Sequence, residues 1–360
     1  MLIFSQGFDY IPSASTTDIL GALGYFNILG ATTSTETRFG VGRSLTFGAT
    51  NNSGDRTVEF LIREQAAEGF IGAAMRIDAD HLTQGRRGVF KFRDTTLGVT
   101  HLTITFENFG VIRVYRGDEN GTLLSTSESL SFFANVWFYA EFRVVINDAS
   151  GICEVRINTI PVIELENVDT KNGAGGNFFD SVRHGSLGGS GSTILPVNIW
   201  FDDMYVNDTA GSKNNTYLGN SIARASGPAG AGNSTEWNRS NVGLANWENA
   251  SNTDIDDTLY VYSDVPGDYD LYTIDPVFTS PTIFALVVKG FYRQDDGTQM
   301  FASNVIESNG TLVAGETVAC MSTYAGALDV FENDPDTGVG WTPTAANLVQ
   351  IGPMVSGGIT

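Results

Sequence analysis

Between His101 and Asp169 apolar and polar residues alternate with a period of two, broken only by short runs rich in Asn, Asp and Gly. In HLTITF, Leu102, Ile104 and Phe106 alternate with His101, Thr103 and Thr105. In WFYAEFRVVI, Phe138, Ala140, Phe142, Val144 and Ile146 fall on one side and Trp137, Tyr139, Glu141 and Arg143 on the other. The runs at 117–121 and 147–151 close the corners as polar turns. A period of two with such corners specifies antiparallel strands that bury one face, and it leaves no room for a long helix.

The same grammar extends through the first half, with strands expected at 44–49, 57–63, 70–77, 88–93, 101–108, 110–116, 123–127, 136–147, 153–158 and 197–206. Their number and spacing predict two packed sheets, a sandwich of jelly-roll type. A chain of 360 residues exceeds one ordinary core, so two domains are expected, 1–207 and 208–360, divided near the polar run NDTAGSKNN. The second domain also reads as a β-sandwich, with strands at 258–263, 269–273, 282–292, 298–308 and 317–324. IFALVVKGFY is apolar on both faces and is expected to be a central strand. Near the end, Thr342 can cap and Pro343 can open a short helical turn.

The net charge is −21, which excludes a nucleic-acid surface built on clustered Lys and Arg. The densest basic cluster, Arg86, Arg87, Lys91 and Arg93, reads as an exposed loop flanking a strand. The opening MLIFSQGFDYIP has no basic residue before its short apolar run, so neither a signal peptide nor a membrane span is expected, and assembly in the cytoplasm follows. Cys153 and Cys320 read as free buried thiols.

Several stretches resemble a known family. GVIRVYRGDENGTLLSTS and WFYAEFRVVINDASGICEVRINTIPVIELENVDT are similar to a concanavalin-like or laminin-G-like sandwich. IWFDDMYVNDTAGSKNNTYLGN, DDTLYVYSDVPGDYDLYTI and DPDTGVGWTPTAANLVQIG resemble virion structural proteins of tailed bacteriophages. The resemblance implies a non-enzymatic tail-associated, appendage or decoration protein that sits in the virion as a homo-oligomer beside other virion proteins. A host-glycan-binding recognition module is the alternative, and a glycoside hydrolase of the concanavalin-like fold is a weaker one.

The chemistry such a hydrolase requires is poorly supplied. In Glu59-Phe-Leu-Ile-Arg-Glu64, Leu61 stands where a middle Asp is needed, and Glu59 and Arg63 read as a solvent-facing pair. His81, His101 and His184 are scattered, with no nucleophile elbow and no zinc spacing, so no catalytic residue and no cofactor is expected. Structural calcium has candidates in Asp254, Asp256 and Asp257, with Asp202 and Asp203 on a strand and Asp334 and Asp336 in a turn, although two adjacent strand residues cannot face one way. Trp237 and Trp247 beside Asn238, Asn246 and Asn249 have the composition of a sugar platform, and equally of core anchors, which is the favoured reading. The glycine-rich segment 171–191 reads as a surface loop, either a binding lobe or a connection, with His184 placed as a contact residue. Its Phe178 and Phe179 are expected either to meet a partner or to fold back.

Overall fold

The computed structural model describes residues 1–360 except 49–53, 79–87, 131–133, 188–197, 252–254, 256, 281, 296, 298 and 359–360, and except the side chains at 63 and 64. The chain is all-β and divides into two compact units, 1–9 with 25–223, and 10–24 with 224–360. The division expected after 207 therefore moves. Residues 208–223 group with the first unit, and 10–24, including helix α1 (Thr16–Ala22), with the second. Among the described residues no helix is long and apolar enough to cross a membrane.

The first unit is a jelly-roll-type sandwich whose described residues form the strands β1 (Leu2–Gln6), β2 (Tyr25–Phe26), β3 (Ala31–Ser34), β4 (Ser44–Gly48), β5 (Arg56–Ala66), β6 (Glu68–Ile77), β7 (Gly88–Asp94), β8 (Val99–Phe106), β9 (Ile112–Arg116), β10 (Thr122–Thr126), β11 (Phe138–Val145), β12 (Gly151–Ile157), β13 (Ile160–Val168), β14 (Phe179–Ser186) and β15 (Asn198–Asp208). Sheet A runs β13-β12-β11-β6-β15-β4-β3, with β1 added on β15. Sheet B runs β10-β9-β8-β7-β14-β5-β2. All pairings in both are antiparallel.

The core between the sheets is what the alternation demands. Leu102, Ile104 and Phe106 of β8 and Phe138, Ala140, Phe142 and Val144 of β11 are at most 2% exposed. Phe90 stacks obliquely on Phe142 with ring centroids 4.6 Å apart. Fully burying rings of this size stabilises the fold by about 1.5–3 kcal/mol each. What the alternation did not announce is that the opposite faces are buried too. His101, Thr103 and Thr105 are 0% exposed, and Tyr139 and Glu141 1%.

Strands β1, β2, β3, β13 and β14 of this unit escaped the sequence pattern, two of them for a visible reason. β13 carries Pro161, which an edge strand tolerates because its outer amides lack partners anyway. β14 lies inside the glycine-rich 171–191 segment, so that segment is no simple loop: it supplies an interior strand of sheet B, between β7 and β5.

The second unit contains β16 (Pro228–Thr235), β17 (Asn238–Arg239), β18 (Val261–Tyr262), β19 (Asp270–Ile274), β20 (Leu286–Tyr292), β21 (Met300–Ser308), β22 (Thr311–Ala314), β23 (Val318–Ala319), β24 (Ala325–Phe331) and β25 (Gln350–Gly358), with short helices α2 (Asn246–Ala250) and α3 (Pro343–Leu348). Its main sheet runs β16-β19-β25-β21-β22, and β23 also pairs with β21. β20, expected to be central, pairs among the described residues with β24 in a two-stranded ribbon. Leu286 and Val288 of that ribbon pack on Ile306, Trp341, Ala346 and Val349, while Val287, Lys289 and Gly290 stay half-buried. The hydroxyl of Thr342 accepts from the amide of Ala345 and caps α3, with Pro343 at its first position.

Candidate functional site

The two outward faces of the first unit are finished differently. On sheet A, residues 216–223 lie across the outer side chains. The Tyr205 hydroxyl donates to Glu141 and accepts from the amide of Leu218, and Glu141 also accepts from the amide of Gly219. Tyr217 meets the ring of Phe70 edge-on, with the Arg156 guanidinium 3.8 Å from its own ring centroid. The amide of Ala223 donates to Asp203. That segment covers the middle of the face, and beside it Arg143 and Arg156, 31% and 30% exposed, pair with Glu68 and Glu154.

On sheet B the outward residues form rows across the strands. Direct cross-strand pairing sets Phe26, Glu59, Arg183, Lys91, Thr103, Tyr115 and Leu123 side by side, from β2 to β10. The neighbouring row places Leu61, Ser181 and Arg93 together. At the usual strand spacing, Glu59 to Tyr115 spans roughly 19 Å.

Glu59 is the hub of this face and is 0% exposed. Arg93 Nη1 donates to both of its oxygens, at 2.6 and 2.8 Å. Arg183 donates from Nε and Nη2 to Oε2, at 2.9 and 2.6 Å. Ser181 Oγ and Asn27 Nδ2 donate as well, at 2.7 and 3.0 Å. Burial pushes the carboxyl pKa up, but the hydrogen bonds from Asn27, Ser181, Arg183 and Arg93 outweigh it and hold the group below its ordinary value. Glu59 is therefore a fixed carboxylate. The solvent-facing reading is corrected at Glu59, which is buried and takes its partners from Asn27 and from its cross-strand neighbours on β7 and β14; the side chain of Arg63 lies outside the described residues. The side chain of Glu64 lies outside the described residues.

Arg93 and Arg183 keep donors in hand. Arg93 Nε reaches Thr100 Oγ1 at 3.3 Å, and neither Arg93 Nη2 nor Arg183 Nη1 has a partner among the described residues. Their side chains are 16% and 22% exposed. Lys91 is paired with Glu119 at 2.6 Å. Lys91 and Arg93 thus sit on the strand, not in an exposed loop, while Arg86 and Arg87 lie outside the described residues. One edge of the face is held by residues 172–176: the amide of Asn172 donates to His101 Nδ1 at 3.1 Å, and that of Gly176 to Asp94 Oδ2 at 2.9 Å. Burial lowers the pKa of His101, consistent with a neutral ring that accepts at Nδ1.

The residues singled out in the sequence are mostly structural. His184 is not a contact residue: it lies on β14, turned inward among Phe47, Phe60, Phe90 and Phe201, and burial pushes its pKa down to about 3. A bulge between Phe179 and Ser181 sets this register, so that Phe179, Val182 and His184 enter the core while Ser181 and Arg183 face out. Phe179 is 0% exposed with its ring centroid 5.3 Å from that of Phe92, so it is no assembly surface. Phe178 is half-buried against Gly176.

In the second unit, Trp237 packs on the cluster of Tyr292, Ala302, Cys320 and Ala327 and donates its indole N–H to the carbonyl of Asp268. Asn246 is buried, donating to the Trp237 carbonyl and to Asp270 and accepting from Arg239. Trp247 is half-buried on α2, and Asn249 is spent on the backbone of Asn241 and Ala245. The supposed sugar platform is an anchor.

Of the calcium candidates, Asp254 and Asp256 lie outside the described residues, and Asp257 pairs with Arg293 and Tyr324. Among the described residues no three His, Cys, Asp or Glu groups are arranged to hold a metal. Asp202 and Asp203 do turn the same way, against the expectation for a regular strand. A bulge between Asp202 and Tyr205 puts Asp203 at φ 50°, and both then meet Arg38, whose amide donates to Asp202 and whose Nη1 pairs with Asp203 at 2.8 Å. Cys153 and Cys320 are free and buried.

No family model matches the chain, and no curated protein matches it in sequence. Among solved structures, alginate lyase Aly36B is similar over 57% of this chain and 96% of its own, with 13% identity and a TM-score of 0.41. The carbohydrate recognition domain of Emp46p in its potassium-bound form is similar over 56% of this chain and 95% of its own, with 9% identity and a TM-score of 0.36. The W1252A mutant of HCR D/C covers 92% of this chain and 78% of its own, with 13% identity and a TM-score of 0.39. At these scores none of them lends this chain a ligand or an activity.

Proposed function

We propose that this protein is a non-enzymatic binding protein whose sheet B face holds a glycan. The observation that carries this is the contrast between the outward faces. On sheet A the outward Arg143 and Arg156 each pair with a carboxylate of their own, Glu68 and Glu154, whereas on the largely buried outward row of sheet B the partly exposed Arg93 and Arg183 share the single carboxylate of Glu59 and keep donors unspent among the described residues. Fixed donors on a rigid sheet suit a ligand rich in acceptor oxygens, since the side chains need little reordering on binding. A non-catalytic role is supported by Glu59, whose lowered pKa is opposite to that of a general acid. The resemblance of 199–220, 256–274 and 334–352 to virion structural proteins supports a virion setting for this face.

The test is an array of bacterial and other envelope glycans probed with the intact protein, with product analysis on every bound glycan. Saturable binding to at least one glycan class without chain cleavage is expected. A folded protein that holds none of them, or that releases reducing ends, would contradict the proposal.

A further inference from the structure

We propose that Arg93 and Arg183, braced on Glu59, form a subsite for the carboxylate of an acidic sugar. This rests on the glycan-binding reading of the same face and names the ligand class. The first support is local charge. Arg93 and Arg183 carry two positive charges against the one carboxylate they pair with, Glu59, an excess of one within that ion-pair cluster in a chain whose net charge is −21. A single added carboxylate balances it. A dianionic phosphate would instead leave excess negative charge beside a buried Glu59.

The second support is geometry. Glu59 engages Arg93 through Nη1, and Arg183 through Nε and Nη2, which leaves Nη2 of the first and Nη1 of the second as unpaired donors among the described residues. Ser181 is the cross-strand neighbour of Arg93 and is flanked in sequence by Arg183 two residues on, so the two guanidinium groups lie on one patch of the face. Guanidinium donors have the planar arrangement that matches a carboxylate. The carboxylate of Glu59 sets both groups before any ligand arrives, and their partial exposure, 16% and 22%, leaves an approach.

The experiment measures binding of a panel of oligouronates and sialylated oligosaccharides, each beside its carboxyl-reduced counterpart, a sulfated oligosaccharide and an acidic peptide. Charge-assisted hydrogen bonds imply a preference of about 10- to 100-fold for at least one carboxylated member over its reduced form. Arg183→Lys keeps the charge and loses the fork, and it is expected to cut that preference by about tenfold in a protein that still melts cooperatively. Should Arg183→Lys fail to fold, Arg93→Lys and the native comparison of acid with reduced sugar still decide. Equal binding of acidic and reduced sugars overturns this subsite and leaves the glycan reading standing. Stronger binding of the sulfated sugar or of the peptide also overturns it, and absence of binding to every sugar overturns both.

Discussion

Replacing His184 with leucine should make the first unit markedly more resistant to acid. In the native fold the ring is 0% exposed, and neither nitrogen has a partner among the described residues. Burial brings its pKa from 6.5 down to about 3. The folded state refuses a proton that the unfolded chain accepts, so the stability linked to this group is full above pH 6.5 and falls progressively until the pH nears 3. Within that window each pH unit costs about 1.4 kcal/mol, so two units of acidification, to about pH 4.5, remove roughly 2.7 kcal/mol through this one side chain. Leucine titrates nothing. At neutral pH two effects oppose each other: relief of unpaired buried nitrogens, worth about 1–3 kcal/mol, and loss of ring contacts. The change in stability with pH is immune to both. Urea unfolding followed by pulsed hydrogen exchange on the β7 and β14 peptides reads this unit alone. The native protein should lose roughly 2.7 kcal/mol more than His184→Leu over the window. Equal losses would refute a neutral His184 sealed among phenylalanines.

Asp202 has the opposite sign. Burial, with Asp203 and Asp9 nearby, pushes its carboxyl from 3.8 up to about 8, so its contribution is full below about pH 3.8 and is lost as the pH rises through about 8. Asp202→Asn should therefore gain on the native protein in melting temperature between those limits, and parallel melting curves across pH would count against the buried acidic pair. A Cβ at Gly175 would collide with the His101 ring, so Gly175→Ala should lift residues 172–176, at a cost of about 1–3 kcal/mol if the loop stays docked. Faster amide exchange at Asn172 and Gly176 is the readout, and unchanged exchange would contradict the clamp. Thr342→Ala should cost the second unit about 1 kcal/mol through loss of the α3 cap, read by its own denaturation transition.

The alternation in β8 and β11 was enough to place the core faces, because a period of two leaves no other way to bury Leu102, Ile104, Phe138 and Phe142 together. It could not reveal that the polar faces are buried as well. That depends on which strands lie side by side: Glu59, Arg183 and Lys91 come from three strands far apart in sequence and meet only through register. A signal was present, since charged residues interrupt the apolar runs VEFLI, VFKFRD and SVRHGS. Flanking glycines disguised β14 as a loop, and with it the inward turn of His184. Bulges at Phe179/Ser181 and at Asp202/Tyr205 each shift a face by one residue, which no strict alternation can foresee.

The central claim, that sheet B is the binding face, is tested most directly by chemical labelling of arginines with a dicarbonyl reagent, read residue by residue by mass spectrometry. The partly exposed Arg93 and Arg183 should label in the free protein, and saturating amounts of the tightest glycan from the array should protect both while exposed Arg224 labels as before. Unchanged labelling of Arg93 and Arg183 in the glycan-bound protein, with protection elsewhere, would contradict it.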